Sequence, residues 1–179
     1  MSVGNEYLRA VQKRFLTIKD LGDGTFEQLT EEDIHWTYNA QTNSIAVIVK
    51  HVSGNMVSRW TDIFTTDGEK PDRNREEEFV DTIRSKEEMI ALWEKGWNTL
   101  FNTISQLTEE DLLKEIYIRG ESHTVIDAIE RQVAHYAYHI GQIVFIGKQI
   151  RGKEWKSLTI PKGKSEEYLK EMLEKHRGN

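Results

Sequence analysis

An all-α fold, a four-helix bundle with one long crossover and a short additional C-terminal helix, is predicted by three observations. Apolar residues recur at helical spacing in four long segments. The sequence has only two prolines, so little interrupts those segments. A six-residue string, Gln28-Leu29-Thr30-Glu31-Glu32-Asp33, returns as Gln106-Leu107-Thr108-Glu109-Glu110-Asp111, each time about fifteen residues ahead of a long apolar-periodic segment.

The first helix is expected over Asn5 to Leu21, carried by Tyr7, Leu8, Val11, Phe15 and Ile18, with Gly22 and Gly24 ending it. The second opens at Asn43 or Ser44, either of which can cap an N-terminus. It carries Ile45, Ile48, Val52, Met56, Trp60 and Ile63 and stops near Asp67-Gly68. Pro71 and the charge run from Asp72 to Glu78 read as a long connection. Ser85 and Glu88 then form a capping box for a third helix that buries Met89, Trp93, Trp97, Leu100 and Ile104. The fourth begins near Thr124 with Val125, Ile129, Val133, Tyr136, Ile140, Ile143 and Ile150. Ser165 to Lys175, with Tyr168, Leu169 and Met172, is expected to be an amphipathic helix that covers the bundle. Stretches 35 to 42 and 116 to 123 are expected to be short extended segments.

The repeated string divides the chain into two helix, acidic turn, helix units. Two similar hairpins joined by the connection from 66 to 84 would give a bundle with approximate two-fold internal symmetry. Two copies of a common capping sequence are the alternative source of the repeat. With 179 residues the chain fits one domain, spanning 1–179 with its core in 5–150 and a tail from 152 to 179.

Composition limits the chemistry. A net charge of −6 gives no general attraction to a polyphosphate backbone, so no nucleic-acid partner is expected. No apolar run approaches the roughly 20 residues of a membrane span. The first residues lack the basic-then-apolar order of a secretory signal, so a cytoplasmic location is expected. The absence of cysteine removes thiolate nucleophiles and zinc-thiolate sites, and any metal must be held by histidine and carboxylate.

Six histidines remain as candidates. His135 and His139 stand four apart in the fourth helix, so both imidazoles leave the same face about one turn apart and can reach a common ion. Such a pair also occurs as hydrogen-bonded, partly buried histidines without metal. A third ligand is available in His51, which sits roughly 60° around the second helix from Ile48, at the edge of the buried stripe. A satisfied core histidine is the other reading of that position. His35 and His176 fall in a turn and a tail, and His123 falls at the N-terminus of the fourth helix, where it would help close the cap. Asn55 and Arg59 follow His51 at one-turn intervals and could bind an anionic group or form an exposed polar stripe. Tyr138 and Gln142 flank His139 as candidates to orient it or a ligand. Ala134, Ala137 and Gly141 form a small-residue stripe roughly 160° from His139. Another backbone could approach there, either a neighbouring helix or a second copy in a homodimer.

One histidine in the second helix, in the setting Val49-Lys50-His51-Val52-Ser53-Gly54-Asn55, together with the pair in the fourth, resembles the DinB superfamily of metal-dependent enzymes. Its relatives include YfiT-like proteins and S-transferases that use bacillithiol or mycothiol. Gly54-Asn55-Met56 with Ser58-Arg59, Asp67-Gly68-Glu69 and Arg73-Asn74-Arg75 are most similar to its DUF1572 branch. The resemblance covers about 5 to 150 and implies metal ligation by His51, His135 and His139. Three neutral imidazoles on Zn²⁺ or Ni²⁺ leave positions open for water or a thiolate. The implied function is a metal-dependent S-transferase or hydrolase acting on a small electrophile, with a low-molecular-weight thiol such as bacillithiol as partner. A non-catalytic metal-binding or stress-response module is the competing reading, favoured by a closed fourth protein ligand or by a bundle with no cavity beside His51.

Overall fold

The computed structural model describes residues 2–177. Four long helices make the bundle: α1 (Val3–Phe26), α2 (Ile45–Trp60), α4 (Lys86–Gln106) and α5 (Val125–Arg151). A four-residue helix, α3 (Arg75–Glu78), lies in the long connection, and α6 (Ser165–Lys175) follows the bundle. A two-stranded antiparallel hairpin, β1 (Glu115–Ile118) with β2 (Glu121–Thr124), leads into α5. None of the helices is long and apolar enough to cross a membrane.

Each long helix starts on a side-chain cap that satisfies an otherwise orphaned N–H. Ser2 accepts from Asn5 N at 3.2 Å, Ser44 from Val47 N at 3.2 Å, Ser85 from Glu88 N at 3.1 Å and Thr124 from Asp127 N at 3.3 Å. Glu88 turns its carboxylate to Arg84 N at 2.9 Å rather than to Ser85, so the expected box is half formed. The two copies of the repeated string adopt the same reciprocal turn. Asp33 accepts from Thr30 N at 2.8 Å, and Asp111 accepts from Thr108 N at 2.8 Å.

The halves relate to one another as the repeat suggests. The closest helix pairs are α2 with α4 and α1 with α5, which exchange when the first half is mapped onto the second. Successive helices of one half therefore pack mainly on the opposite half rather than as tight hairpins. Gly96 makes the α2–α4 approach possible, since a Cβ there would lie 2.9 Å from Ser53 Cα. Ser53 Oγ donates to Leu92 O at 2.6 Å across the same seam, and Tyr7 Oη donates to Glu130 at 2.9 Å between α1 and α5. Phe15, Trp93, Trp97 and Tyr136 form an aromatic centre, each at most 1% exposed. Their rings meet edge-on or tilted at 5.4 to 6.3 Å between centroids, within the range aromatic pairs prefer.

Four expectations need correction. Gly22 and Gly24 do not end α1, which runs on to Phe26. They are contact positions instead, because Trp93 lies over Gly22 and Leu158 over Gly24. Helix α2 ends at Trp60, short of Asp67-Gly68: Asp62 takes a left-handed φ of 49°, and the amides of Thr65 and Thr66 fold back onto its carbonyl. Ile63 stays buried beyond the helix end. Stretch 35 to 42 contains no strand, only a single 3-10 turn at Asp33–His35 followed by irregular turns. Stretch 116 to 123 does pair as the hairpin, around Arg119 and Gly120 with φ of 56° and 75°.

The fourth correction concerns the tail. Helix α6 forms but does not cover the bundle, since Tyr168, Leu169 and Leu173 remain exposed. The segment before it takes that place. Trp155 packs on Gly147 and Leu158 on Gly24, while Gln28 brackets Lys156 by accepting from its N at 2.8 Å and donating to its O at 3.1 Å.

A Cβ at Gly22 would lie 2.5 Å from Trp93 Cζ2, and that ring is held by a 2.6 Å hydrogen bond from Nε1 to Asp23. Gly22→Ala should therefore lower stability by ~1–3 kcal/mol from overpacking, outweighing the ~1 kcal/mol that alanine contributes to a helix interior. The midpoint of urea denaturation reads the difference.

Candidate metal centre

Helices α2 and α5 face each other across the bundle and bring His51, His135 and His139 together. Among the described residues these three are the group able to hold a metal ion, with one ligand atom from each lying within 4.8 Å of the others. His51 Nε2 is 3.4 Å from His135 Nε2, and His139 Nε2 is 3.1 Å from His135 Nε2. Nitrogens bound tetrahedrally to one ion at about 2.0–2.1 Å would stand ~3.3 Å apart, so the donor set has the spacing of a shared ion.

The surroundings favour neutral rings. Burial, with the charges of His139, His51, Arg59 and Arg73, pushes His135 down to about 3. Burial and the neighbouring His51 push His139 down to about 4, against a hydrogen bond to the Gln142 amide oxygen that acts the other way. Neutral imidazole is the form that ligates.

The far nitrogens are treated differently on each ring. His51 Nδ1 lies 2.9 Å from Glu78 Oε2, so it carries the proton and leaves the Nε2 lone pair toward the other histidines. His139 Nδ1 has Gln142 Oε1 at 3.3 Å, and His135 Nδ1 is buried with no hydrogen-bond partner among the described residues. Phe79 stacks on His51 with centroids 4.9 Å apart and closes that side of the ring.

Glu78 was read in the sequence as part of a charged connection, yet it is among the most buried polar groups in the protein. Arg73 donates to it twice, from Nε at 2.7 Å and from Nη2 at 2.8 Å. Burial alone would raise its pKa, but the hydrogen bonds from His51 and Arg73 hold it below the usual carboxylate range. Arg73 also reaches Glu69 at 3.3 Å, and Glu69 in turn meets Arg119 of the hairpin at 3.2 Å. Asp67 completes the tie by accepting from the backbone N of Arg119 and of Gly120, both at 2.8 Å. The signal for Glu78 in the sequence is Gly54. A Cβ there would collide with Glu78 Oε1, so the glycine one turn beyond His51 marks where a carboxylate enters.

The neighbouring candidates separate. Asn55 is buried and accepts a 3.0 Å hydrogen bond from Tyr136 Oη, which itself accepts from Trp60 Nε1 at 3.1 Å. Arg59 is also buried, 3.9 Å from Glu69, with Nε and Nη1 lacking a partner among the described residues. Neither forms an exposed stripe. Tyr138 is exposed and packs against His139 at 5.0 Å between centroids. Ala134, Ala137 and Gly141 face outward, and a Cβ at Gly141 would meet nothing within 4 Å, so no helix among the described residues covers that stripe. His35 pairs with Asp81 at 2.8 Å and His123 with Asp127 at 2.6 Å, while His176 follows α6. Thr124 rather than His123 provides the cap of α5.

Two clefts flank the centre. One, of about 830 Å³, runs between Trp36 and Tyr38 on one side and Tyr138, Gln142 and Phe145 on the other. The second, of about 580 Å³, opens on the side of Glu78 and Arg73 and is lined by Lys50, Lys70 and Lys95.

The polar trio beneath the histidines gives a direct test. Tyr136→Phe would leave Asn55 Oδ1 and Trp60 Nε1 buried without partners, at a cost of ~1–3 kcal/mol. Thermal unfolding should show that loss.

No curated protein matches the chain significantly. A family model described as a protein of unknown function, DUF1572, matches residues 2–164 of the 179. That match takes in all four bundle helices, the connection that carries Glu78 and the segment around Trp155, and on it the chain belongs to the DUF1572 family.

Proposed function

We propose that His51, His135 and His139 hold one divalent ion, Zn²⁺ or Ni²⁺, and that the protein is an enzyme which activates a thiol or water for attack on a small electrophile. The observation that carries this reading is the convergence of three Nε2 atoms at 3.1 and 3.4 Å, with no carboxylate among them. A closed structural site would have a fourth protein ligand. Glu78, the nearest carboxylate, is instead engaged on the outer nitrogen of His51. The resemblance to the DinB superfamily, position by position at these histidines, supports the same assignment.

A divalent ion on three imidazoles keeps an open position and brings the pKa of a bound water or thiol toward neutrality. The residues of the chain supply the rest. Glu78 fixes the tautomer and aim of His51, and Gln142 does so for His139 through its amide oxygen. Phe79 keeps water from one flank of His51. With a low-molecular-weight thiol such as bacillithiol and a chloro-aromatic electrophile, the thiolate sulfur forms a C–S bond as the C–Cl bond breaks. Chloride leaves and the thiol proton passes to solvent.

Elemental analysis of the purified protein should find one ion per chain, and His135→Ala should abolish it. Full retention of metal in that variant would sink the assignment. Glu78→Gln should weaken metal binding by ~10–100-fold in competition with a chelator, because it removes the charge that makes His51 a stronger donor. For the reaction itself, metal-loaded protein should release chloride from 1-chloro-2,4-dinitrobenzene faster in the presence of bacillithiol than the uncatalysed mixture does. Chelation should return the rate to background. A rate at background throughout would leave only a metal-binding module.

A further inference from the structure

The larger cleft has an unusual lining. Twelve residues border it, and none is Asp, Glu, Lys, Arg or His, in a chain where 30% of residues are charged. Trp36, Tyr38, Tyr138 and Phe145 supply aromatic surface, and the polar lining is mainly neutral amides such as Gln41, Asn43 and Gln142. At about 830 Å³ it lies in the size range of small-molecule sites. The cleft on the other flank is the opposite in character, with Lys50, Lys70, Arg73, Lys95, Asp72 and Glu78 on its walls.

Position links the neutral cleft to the histidines. Gln142 belongs to both, lining the cleft while its Oε1 engages His139 Nδ1 at 3.3 Å. Its oxygen is spent on that ring, so the amide NH₂ is the group left to donate to a ligand. Tyr138 likewise lines the cleft and packs on His139. A charged ligand entering here would lose hydration and meet no countercharge among the lining side chains, whereas a flat uncharged ring would gain aromatic contact on both walls.

We infer that this cleft is the binding subsite for an uncharged, planar aromatic group, and that the electrophilic substrate of the proposed reaction is a neutral aromatic compound. The inference rests on the proposed function for the word substrate, but the binding it requires is measurable without any reaction. Gln142 donates to a neutral acceptor on the ring, such as a nitro or carbonyl oxygen. Tyr138 and Phe145 on α5 oppose Trp36 and Tyr38 from the loop before α2.

The test uses the full chain and a neutral fluorescent probe, N-phenyl-1-naphthylamine, beside its anionic counterpart 8-anilinonaphthalene-1-sulfonate. The neutral probe should bind saturably at one site per chain, at least tenfold more tightly than the anionic one. Gly141→Leu places a side chain in the cleft at a position where a Cβ meets nothing within 4 Å, so the helix tolerates it. That variant should weaken the neutral probe at least tenfold with metal content unchanged. Phe145→Ala and Tyr38→Ala, both at exposed positions, should each weaken it severalfold. Equal probe affinity in wild type and Gly141→Leu overturns the inference, as does preference for the anionic probe. A dimer that Gly141→Leu splits into monomers, with probe binding unaltered, overturns it too and marks the face as an interface between copies. Measuring the probe on metal-free and metal-loaded protein separates the two claims. A wild type that holds no metal sinks the proposed function while leaving the probe result to stand or fall alone.

Discussion

Three imidazole nitrogens held 3.1 and 3.4 Å apart inside a helical bundle form the constraint from which most of the local structure follows. Burial favours the neutral forms of His135 and His139, and His51, with its Nδ1 proton on Glu78, turns an Nε2 lone pair toward them. Lone pairs turned toward one point in a medium of low polarity would repel each other and be costly to desolvate. A divalent cation at that point, as proposed, would convert both costs into ligand bonds, and its binding energy would become folding energy for the elements that carry the rings. The bundle prepares for this. His51 is aimed by a carboxylate, and that carboxylate is neutralised by an arginine that makes two hydrogen bonds to it.

The long connection between α2 and α4 is therefore a scaffold for the centre as well as a crossover. Two of its acidic residues are held by arginines, of which Arg73 and Arg59 have little exposure and Arg119 is exposed: Glu78 by Arg73, and Glu69 by Arg73, Arg119 and the more distant Arg59. Asp67 anchors the same segment to the turn of the hairpin through two backbone amides; burial pushes its carboxyl up, but the hydrogen bonds from the amides of Glu69, Gly120 and Arg119 together hold it below the ordinary range. Each carboxylate has several donors, so removing any one partner leaves a charge without compensation in a poorly hydrated place. A chain of this kind transmits position. The hairpin that precedes α5 and the turn that follows α2 are tied to one another, and both helices that contribute histidines are thereby held in register.

What could be read in the sequence was whatever depends on local periodicity. Helical spacing of Leu8, Val11, Phe15 and Ile18 or of Ile129, Tyr136, Ile140 and Ile143 places those residues in the core because a helix has one buried face. Ser44 and Ser85 cap where expected because capping is a contact between residues three apart. The histidines were visible for the same reason, by their place at the margin of an apolar stripe. Apart from the early end of α2, which a local turn at Asp62 sets, the misreadings depend on distant partners. Glycine ends a helix only when nothing packs on it, and Gly22 has Trp93 over it, seventy-one positions away in sequence. An amphipathic pattern does not state whether anything covers its apolar face, and α6 has no buried residue. The run from Asp72 to Glu78 resembles a solvated loop by composition, whereas the partners that bury Glu78 are His51 and Arg73, one of them on another element.

The two flanks of the centre divide the chemical labour. On the side of His51 the groups are charged, and Glu78 and Arg73 are each pinned by several contacts, which suits holding the His51 ring in a fixed position. On the side of His139 the groups are neutral and partly exposed, and Gln142 is a weaker partner than Glu78 because an amide carries no net charge. A carboxylate on both flanks would put further negative charge beside the ion and reduce its ability to acidify a bound nucleophile. Under the proposed function, one charged partner and one neutral partner would keep the histidines oriented while leaving more of the ion's positive charge for the nucleophile. The scarcity of charge in the neighbouring cleft would likewise admit an uncharged electrophile. The asymmetry between Glu78 and Gln142 thus suits the proposed metal-activated nucleophile: a charged anchor on the outer nitrogen of His51, a neutral one on that of His139, and an uncharged cleft beside the second.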